Sequence, residues 1–299
     1  MSYQQKYLKY KKKYLDAKNK IGSSNPKIYT VYAKGVGGSD SNDPLFIAAE
    51  KGNVEKVNEI LEEDTDVNVN LADNKERRTP LFVATWEGHT AVVERLLAHR
   101  AIDVNQANKY GSTPLLIAVD MPPSQEKESM ELVQLLLAHV ATDVNKAYTT
   151  DGTTPLIMAA KNGKTELVRL LVAAGAEVDK ATTDYGFTPL YMAAKNGKTD
   201  VVSLLVKEGN ADVNKERKGD EGSTPLIMAV EWKKEKIVRI LVEEGKADVN
   251  KANKNGTTPL GMAAQKCHKD IVRFLVEKGA SKELEEDMGV CSEVGNLLK

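Results

Sequence analysis

Apolar residues in this chain come in short runs that recur with polar interruptions. In one representative stretch, Leu156, Ala159 and Ala160 fall on one face of a helix. Asn162-Gly163 then breaks the pattern, and Leu167, Val168, Leu170 and Leu171 define a second, bulkier apolar face. Gly175 ends that second helix, and "AEVDKATTDYG" runs extended through a turn into the next apolar run. The sequence therefore predicts a helix–break–helix unit followed by a turn.

The unit repeats. Pro-Leu recurs at Pro44, Pro80, Pro114, Pro155, Pro189, Pro225 and Pro259, at intervals of 36, 34, 41, 34, 36 and 34 residues. Thr precedes six of the seven, and Asp43 precedes the first. A hydroxyl there caps free amides, and Pro suits the first helical turn because its missing N–H had no helical partner. One helix pair cannot bury its own apolar face, whereas seven in series can, each against its neighbours. Leu170→Ala or Leu204→Ala is accordingly expected to unfold several units together.

These residues resemble the ankyrin repeat, whose pattern is Gly-x-Thr-Pro-Leu, Ala-Ala, Gly, a Val/Leu-rich helix and Gly-Ala-Asp-Val-Asn. "GTTPLIMAAKNGKTELVRLLVAAGAEVD" carries the match, which runs over about residues 42–282. The resemblance implies an all-α repeat fold, an ankyrin-repeat solenoid of about seven helix–turn–helix units with β-hairpin-like turns. The family usually places His after Thr-Pro-Leu, but this chain has Phe46, Phe82, Leu116, Ile157, Tyr191, Ile227 and Gly261, so packing must replace that hydrogen-bond network. The third unit carries an insertion, Asp120 to Ser129, and Pro122-Pro123 predicts a protruding loop there. Lys233 replaces the corner Gly of the sixth unit.

Outside the repeats, residues 1–22 form a leader, 23–41 a Gly-rich flexible linker, and 283–299 a tail that reads as a cap. Tyr3, Tyr7, Tyr10 and Tyr14 line one side of a leader helix that carries seven lysines against one acid, Asp16. Such a helix fits an anionic membrane, nucleic acid or a partner helix, and it fits equally a solvated arm. "YLKYKKKYLDAKNKIG" resembles a leader of giant DNA virus proteins of the mimivirus kind, which implies a viral source rather than an activity; a viral ankyrin-repeat protein would suit a host-interaction adaptor. Leu284, Met288, Cys291, Val294 and Leu298 suit an apolar stripe in the tail, which Gly289 and Gly295 weaken.

Composition narrows the chemistry. With 42 basic and 43 acidic residues, the whole chain is no polyanion binder. Cys267 and Cys291 alone make no disulfide framework and fit a reducing compartment, and Cys267-His268 with distant Cys291 offers no metal spacing. No apolar run spans a bilayer and no secretory pattern opens the chain, so the expected location is cytoplasmic, in a host cell if the source is viral. "AAKNGKT" at Ala159 and Ala193 ends like a phosphate-binding loop, but the glycine that loop needs five residues earlier is Met158 or Met192. No catalytic set, metal or cofactor is expected, and the protein is read as no enzyme.

His89 sits at a repeat corner, where the family places His for structural hydrogen bonds. His99 and His139 end second helices, where a cation is favoured. The Asp-Val-Asn turns at Asn105, Asn145, Asn214 and Asn250, with Asp179 in place once, suit side chains that bond their own backbone. In the family such asparagines can be substrates of an asparaginyl hydroxylase. The resemblance further implies a protein partner held in a concave groove lined by turn tips and first-helix ends. Here the tips offer Tyr110, Tyr148, Tyr185 and Phe187, and the helix ends offer Trp86, Lys161, Asn162, Lys195, Asn196 and Trp232. The protein is expected to be a monomer.

Overall fold

A computed structural model describes residues 43–63, 67–219, 222–283 and 290–298. The expectations for the leader, the linker, Leu284 and Met288 lie outside the described residues. Seven helix pairs follow in chain order. They are α1 (Pro44–Lys51) with α2 (Val54–Glu63), α3 (Pro80–Glu87) with α4 (Thr90–Leu97), and α5 (Pro114–Asp120) with α6 (Glu126–Ala138). Then come α7 (Pro155–Asn162) with α8 (Thr165–Ala173), and α9 (Pro189–Lys195) with α10 (Thr199–Lys207). α11 (Pro225–Glu231) pairs with α12 (Glu235–Arg239), which continues as a π turn over Ile240–Glu244. α13 (Pro259–Gln265) pairs with α14 (Lys269–Glu277), and a short α15 (Gly295–Leu298) lies in the C-terminal segment.

Each first helix starts as the sequence predicts. Thr79, Thr113, Thr154, Thr188, Thr224 and Thr258 accept through Oγ1 from the amide three residues on, at 3.1–3.3 Å. Asp43 does the same for Phe46 at 2.8 Å. The carbonyls at the far end of a first helix are met from the next unit. His89 Nε2 lies 3.2 Å from the Glu50 oxygen, and Lys164 Nζ donates to the Val119 and Met121 oxygens at 2.6 and 2.5 Å.

First helices pack on first helices and second helices on second helices, so the apolar core runs unbroken along the stack. Ala84, Ala118, Ala159, Ala160, Ala193, Ala194, Ala229, Ala263 and Ala264 are buried in the first-helix layer. Their small side chains let neighbouring first helices approach closely. Leucines and valines fill the wider space in the second-helix layer. Leu204 is buried, as expected; Leu170 is only partly buried, and its neighbour Leu171 takes the deep position. The side chain after Pro-Leu is buried at Phe46, Phe82, Leu116, Ile157, Tyr191 and Ile227, so apolar packing occupies the place of the family histidine in six units, while Gly261 is buried but offers no side chain.

Between units the chain folds into turns without strands among the described residues. Each turn closes at its base, as in Asn108 N–H to the Ser112 oxygen at 2.9 Å. Neighbouring turns touch through single amide bonds, such as Lys109 N–H to the Glu76 oxygen at 2.9 Å and Thr183 N–H to the Asp151 oxygen at 2.8 Å. Gly111, Gly152, Gly186, Gly222 and Gly256 hold the tip in left-handed backbone, and Arg77 adopts the same backbone at φ +58° in the first turn. Gly111 has φ +78°, and a Cβ there would sit 2.5 Å from the Thr149 nitrogen.

The Asp-Val-Asn asparagines do more than close their own turns. The aspartate accepts locally, as Asp103 does from the Asn105 amide at 3.0 Å. The asparagine reaches into the following unit: Asn105 accepts from Asp143 N–H at 2.8 Å and donates to the Ala141 oxygen at 2.6 Å. Asn70, Asn145 and Asn250 make the same pair of bonds. Asp179, a carboxylate, has no N–H to donate, and it only accepts, from Asp212 N–H.

Two expectations need correction. The insertion is no protruding loop: Pro123–Gln125 form a single 3-10 turn, and α6 is 13 residues long where α4 has 8. Met121 is buried, and the Ser129 hydroxyl donates to the Ala118 oxygen at 2.6 Å, so the extra residues fold back onto α5. His99 and His139 each accept through Nδ1 from an amide two residues on, at 3.3 and 3.4 Å. Cys267 and Cys291, distant in sequence, are joined as a disulfide with their Cα atoms 5.6 Å apart.

Two stability outcomes follow. Leu204→Ala removes a buried side chain shared by adjoining units and is expected to cost about 2–5 kcal/mol in chemical denaturation. Asn105→Ala removes both bonds to the next unit and is expected to cost about 1–3 kcal/mol, with fast amide exchange at Asp143 as the local sign. An unchanged Asp143 exchange rate would show that the asparagine does not couple the units.

Candidate protein-interaction surface

The last turn of each first helix puts one residue of every unit in a common row, six positions after its proline. Along the stack that row reads Glu50, Trp86, Asp120, Lys161, Lys195, Glu231 and Gln265. Asn162, Asn196 and Trp232 stand one residue further on. The sequence-predicted helix-end residues thus do share one edge of the molecule. Trp86 is 37% exposed and Trp232 53% exposed, while Lys161, Asn162, Lys195 and Asn196 are half-buried.

The turn tips divide. Tyr185 is 55% exposed and stacks on Phe187, with centroids 5.4 Å apart. Phe187 stacks in turn on buried Tyr191 at 5.2 Å. Lys195 and Arg217 approach the Phe187 ring at 5.6 and 6.0 Å, so the aromatic step carries cations on its flanks. Tyr110 is half-buried under the Lys109 ammonium, 4.9 Å from its ring, and Lys109 also pairs with Glu76 at 2.9 Å.

Tyr148 does not belong to this surface. It is only 3% exposed and packs into the core. The reason is register. Its N–H bonds to the Thr153 oxygen at the base of the turn, the place that Asn108 and Thr182 hold in their units. Tyr110 and Tyr185 lie two and three residues beyond that base, where the chain turns outward. An aromatic residue near a turn is a poor guide unless the base pair is known.

The structure adds a charged centre that the sequence reading passed over. Asp120 was read only as the start of an insertion, yet it stands in the helix-end row between Trp86 and Lys161. Asn162 Nδ2 donates to its Oδ1 at 3.4 Å, and Lys164 and Lys161 are its charged neighbours. The residue keeps some exposure, but its carboxyl is enclosed, and burial pushes it up to about 6 against the pull of Lys164, Lys161 and Asn162. Burial lowers Lys161 and Lys164 as well, offset chiefly by Asp120. Glu50, in the same row, is raised by burial despite Arg78 and Lys51. Position six after the proline was the available signal.

Asn196 bonds its own helix, Nδ2 to the Met192 oxygen at 2.7 Å. Among the described residues no group of three His, Cys, Asp or Glu side chains is placed to hold a metal ion, and no helix is long and apolar enough to cross a membrane. Exposed rings and charged side chains lie along one edge.

The Asp120 carboxyl is expected to titrate near pH 6 by carbon NMR, not near its ordinary value of about 4. Between those values the folded protein binds more protons than the unfolded chain. This group's contribution to stability therefore falls as pH rises from about 4 to 6. A titration midpoint near 4 would remove the enclosed carboxyl.

Comparison with known proteins agrees with this architecture. The sequence matches the pattern of "Ankyrin repeats (3 copies)" over residues 45–127, 124–217 and 210–286. It is 37% identical over 95 residues to putative ankyrin repeat protein YahD of Escherichia coli K12, covering 32% of this chain and 46% of YahD. It is 32% identical over 91 residues to human Rabankyrin-5, covering 30% of this chain and 8% of that protein. The chain thus spans less than half the length of these relatives. Among solved structures, the ankyrin repeat domain of Bcl-3, a member of the IkappaB family, superposes with TM-score 0.68 at 28% identity, covering 78% of this chain and 99% of that one. The human ASB11 ankyrin repeat domain gives TM-score 0.60 at 26% identity, over 80% and 99% of the two chains. With the family pattern running through nearly all the described residues, and with helix pairs stacked as in these domains, this chain belongs to the ankyrin-repeat family.

Proposed function

We propose that this protein is a non-enzymatic interaction module that binds a protein partner along the edge formed by its turn tips and first-helix ends. One observation carries the reading. Trp86, Tyr185 and Trp232 are three of the six large hydrophobic residues exposed among the described residues, and all three lie on that edge. Large rings flanked by cations are the usual anchors of protein interfaces. The residues proposed to make contact are Trp86, Tyr110, Lys161, Asn162, Tyr185, Phe187, Lys195, Asn196 and Trp232. Tyr148 supports the turn from inside. The stack holds these groups in place beforehand, so association need not order a loop. The family fold supports protein binding in general terms. The resemblance of the N-terminal leader adds the finer reading of a viral adaptor directed at host proteins.

Crosslinking in expressing cells, followed by titration of the purified partner, tests the proposal. Trp86→Ala, Tyr185→Ala and Trp232→Ala are each expected to weaken binding by about 1–2 kcal/mol, roughly 5- to 30-fold, with helical content unchanged. A partner bound equally well by the triple variant would overturn it.

A further inference from the structure

The seventh unit, like the sixth with Lys233, has no glycine at its corner between helices. Cys267 stands there with φ +57°, where Gly52, Gly88, Gly163 and Gly197 take the same left-handed backbone. That backbone disfavours any residue with a Cβ, so local conformation does not select cysteine. What the position offers is reach to Cys291. The two Cα atoms are 5.6 Å apart, within the span a disulfide bridges, although 24 residues separate them in sequence.

Contacts other than the sulfurs hold Cys291 at this distance. Its N–H donates to the Ala264 oxygen at 3.1 Å. Glu293 pairs with Lys269 at 2.7 Å, and Val294 is fully buried against the last repeat. Leu297 and Leu298 pack on the same core. Cys267 itself is exposed and Cys291 half-buried, so a small reagent reaches the pair from solvent.

We propose that Cys267 and Cys291 form a reversible thiol–disulfide site, with a small-molecule disulfide of the glutathione class as co-reactant, and that the bond locks residues 290–298 onto the last repeat as its cap. One cysteine thiolate attacks the small disulfide, giving a mixed disulfide and releasing one small thiol. The other cysteine then attacks the protein sulfur of that mixed disulfide, forming the Cys267–Cys291 bond and releasing the second small thiol. Two electrons and two protons pass from the cysteines to the two released thiols, and an excess of small thiol reverses both steps. The consequence is local to the end of the stack. α13 and α14 have no further repeat beyond them among the described residues, and the 290–298 segment covers apolar surface that a next unit would otherwise cover.

The full chain, equilibrated in oxidised or in reduced glutathione, tests this with two readouts: free thiols by maleimide mass labelling, and amide exchange over residues 290–298. Oxidised glutathione is expected to consume both thiols within one chain. Exchange in 290–298 should slow on the order of 100-fold, the constraint expected of a loop of this length. Reduced glutathione should restore both readings. Cys267→Gly, which returns the corner to the residue found in four other units, should keep its helical content and exchange fast in both buffers. Cys291→Ser should behave likewise. A lasting glutathione adduct or a disulfide-linked dimer would overturn the proposal. So would bond formation without slowed exchange, or slowed exchange in Cys267→Gly.

Discussion

The hydrogen bonds that cross from one unit to the next are the constraint on which this structure depends. A helix pair of this size leaves both polar and apolar groups unmet, and here the following unit supplies what is missing. Asn105 reaches the backbone at Ala141 and Asp143, and Asn145 repeats the move toward Gly175 and Glu177. At the other end of the unit, Lys164 covers carbonyls left open by α5. These bonds fix spacing as well as energy, because an amide accepts no partner half a residue out of register. The continuous apolar core then follows from the spacing.

That arrangement accounts for where side chains are free to vary. Positions facing the neighbouring unit are largely committed: glycine at every turn tip but that of Arg77, alanine in the first-helix layer, leucine or valine in the second. The end of the first helix is not committed, and the chain places tryptophan, aspartate, lysine and glutamate there in successive units. A fixed scaffold thus presents a row of unlike groups at constant intervals, as a surface for recognition requires. Asp120 shows the cost of such freedom. Its carboxyl lies enclosed and raised by burial, beside two lysines that burial lowers and that Asp120 in turn pulls back up.

Much of this was legible because repetition amplifies weak signals. One Thr-Pro-Leu would be a poor helix start, whereas seven proline positions at nearly constant intervals define the unit, its helix caps and the breaks between helices. Other features escaped for identifiable reasons. Pro122-Pro123 looked like an exposed loop, but Lys164, from the next unit, and Ser129 draw the segment inward. Tyr148 looked like Tyr110, but the two sit at different steps of the turn. Cys291 looked remote from Cys267, since a pairing across 24 residues has no local signature.

The sequence by itself determined the helical units, their number, their caps and the layer to which each apolar face belongs. Those properties arise from interactions within a few residues, such as a hydroxyl meeting an amide three positions on or an apolar face recurring with the helical period. The tertiary structure alone decided which groups share an edge, which carboxyl is enclosed and which cysteines meet. Those outcomes depend on distances between segments 24 to 42 residues apart in the chain, and they are set by stacking geometry that no local pattern encodes.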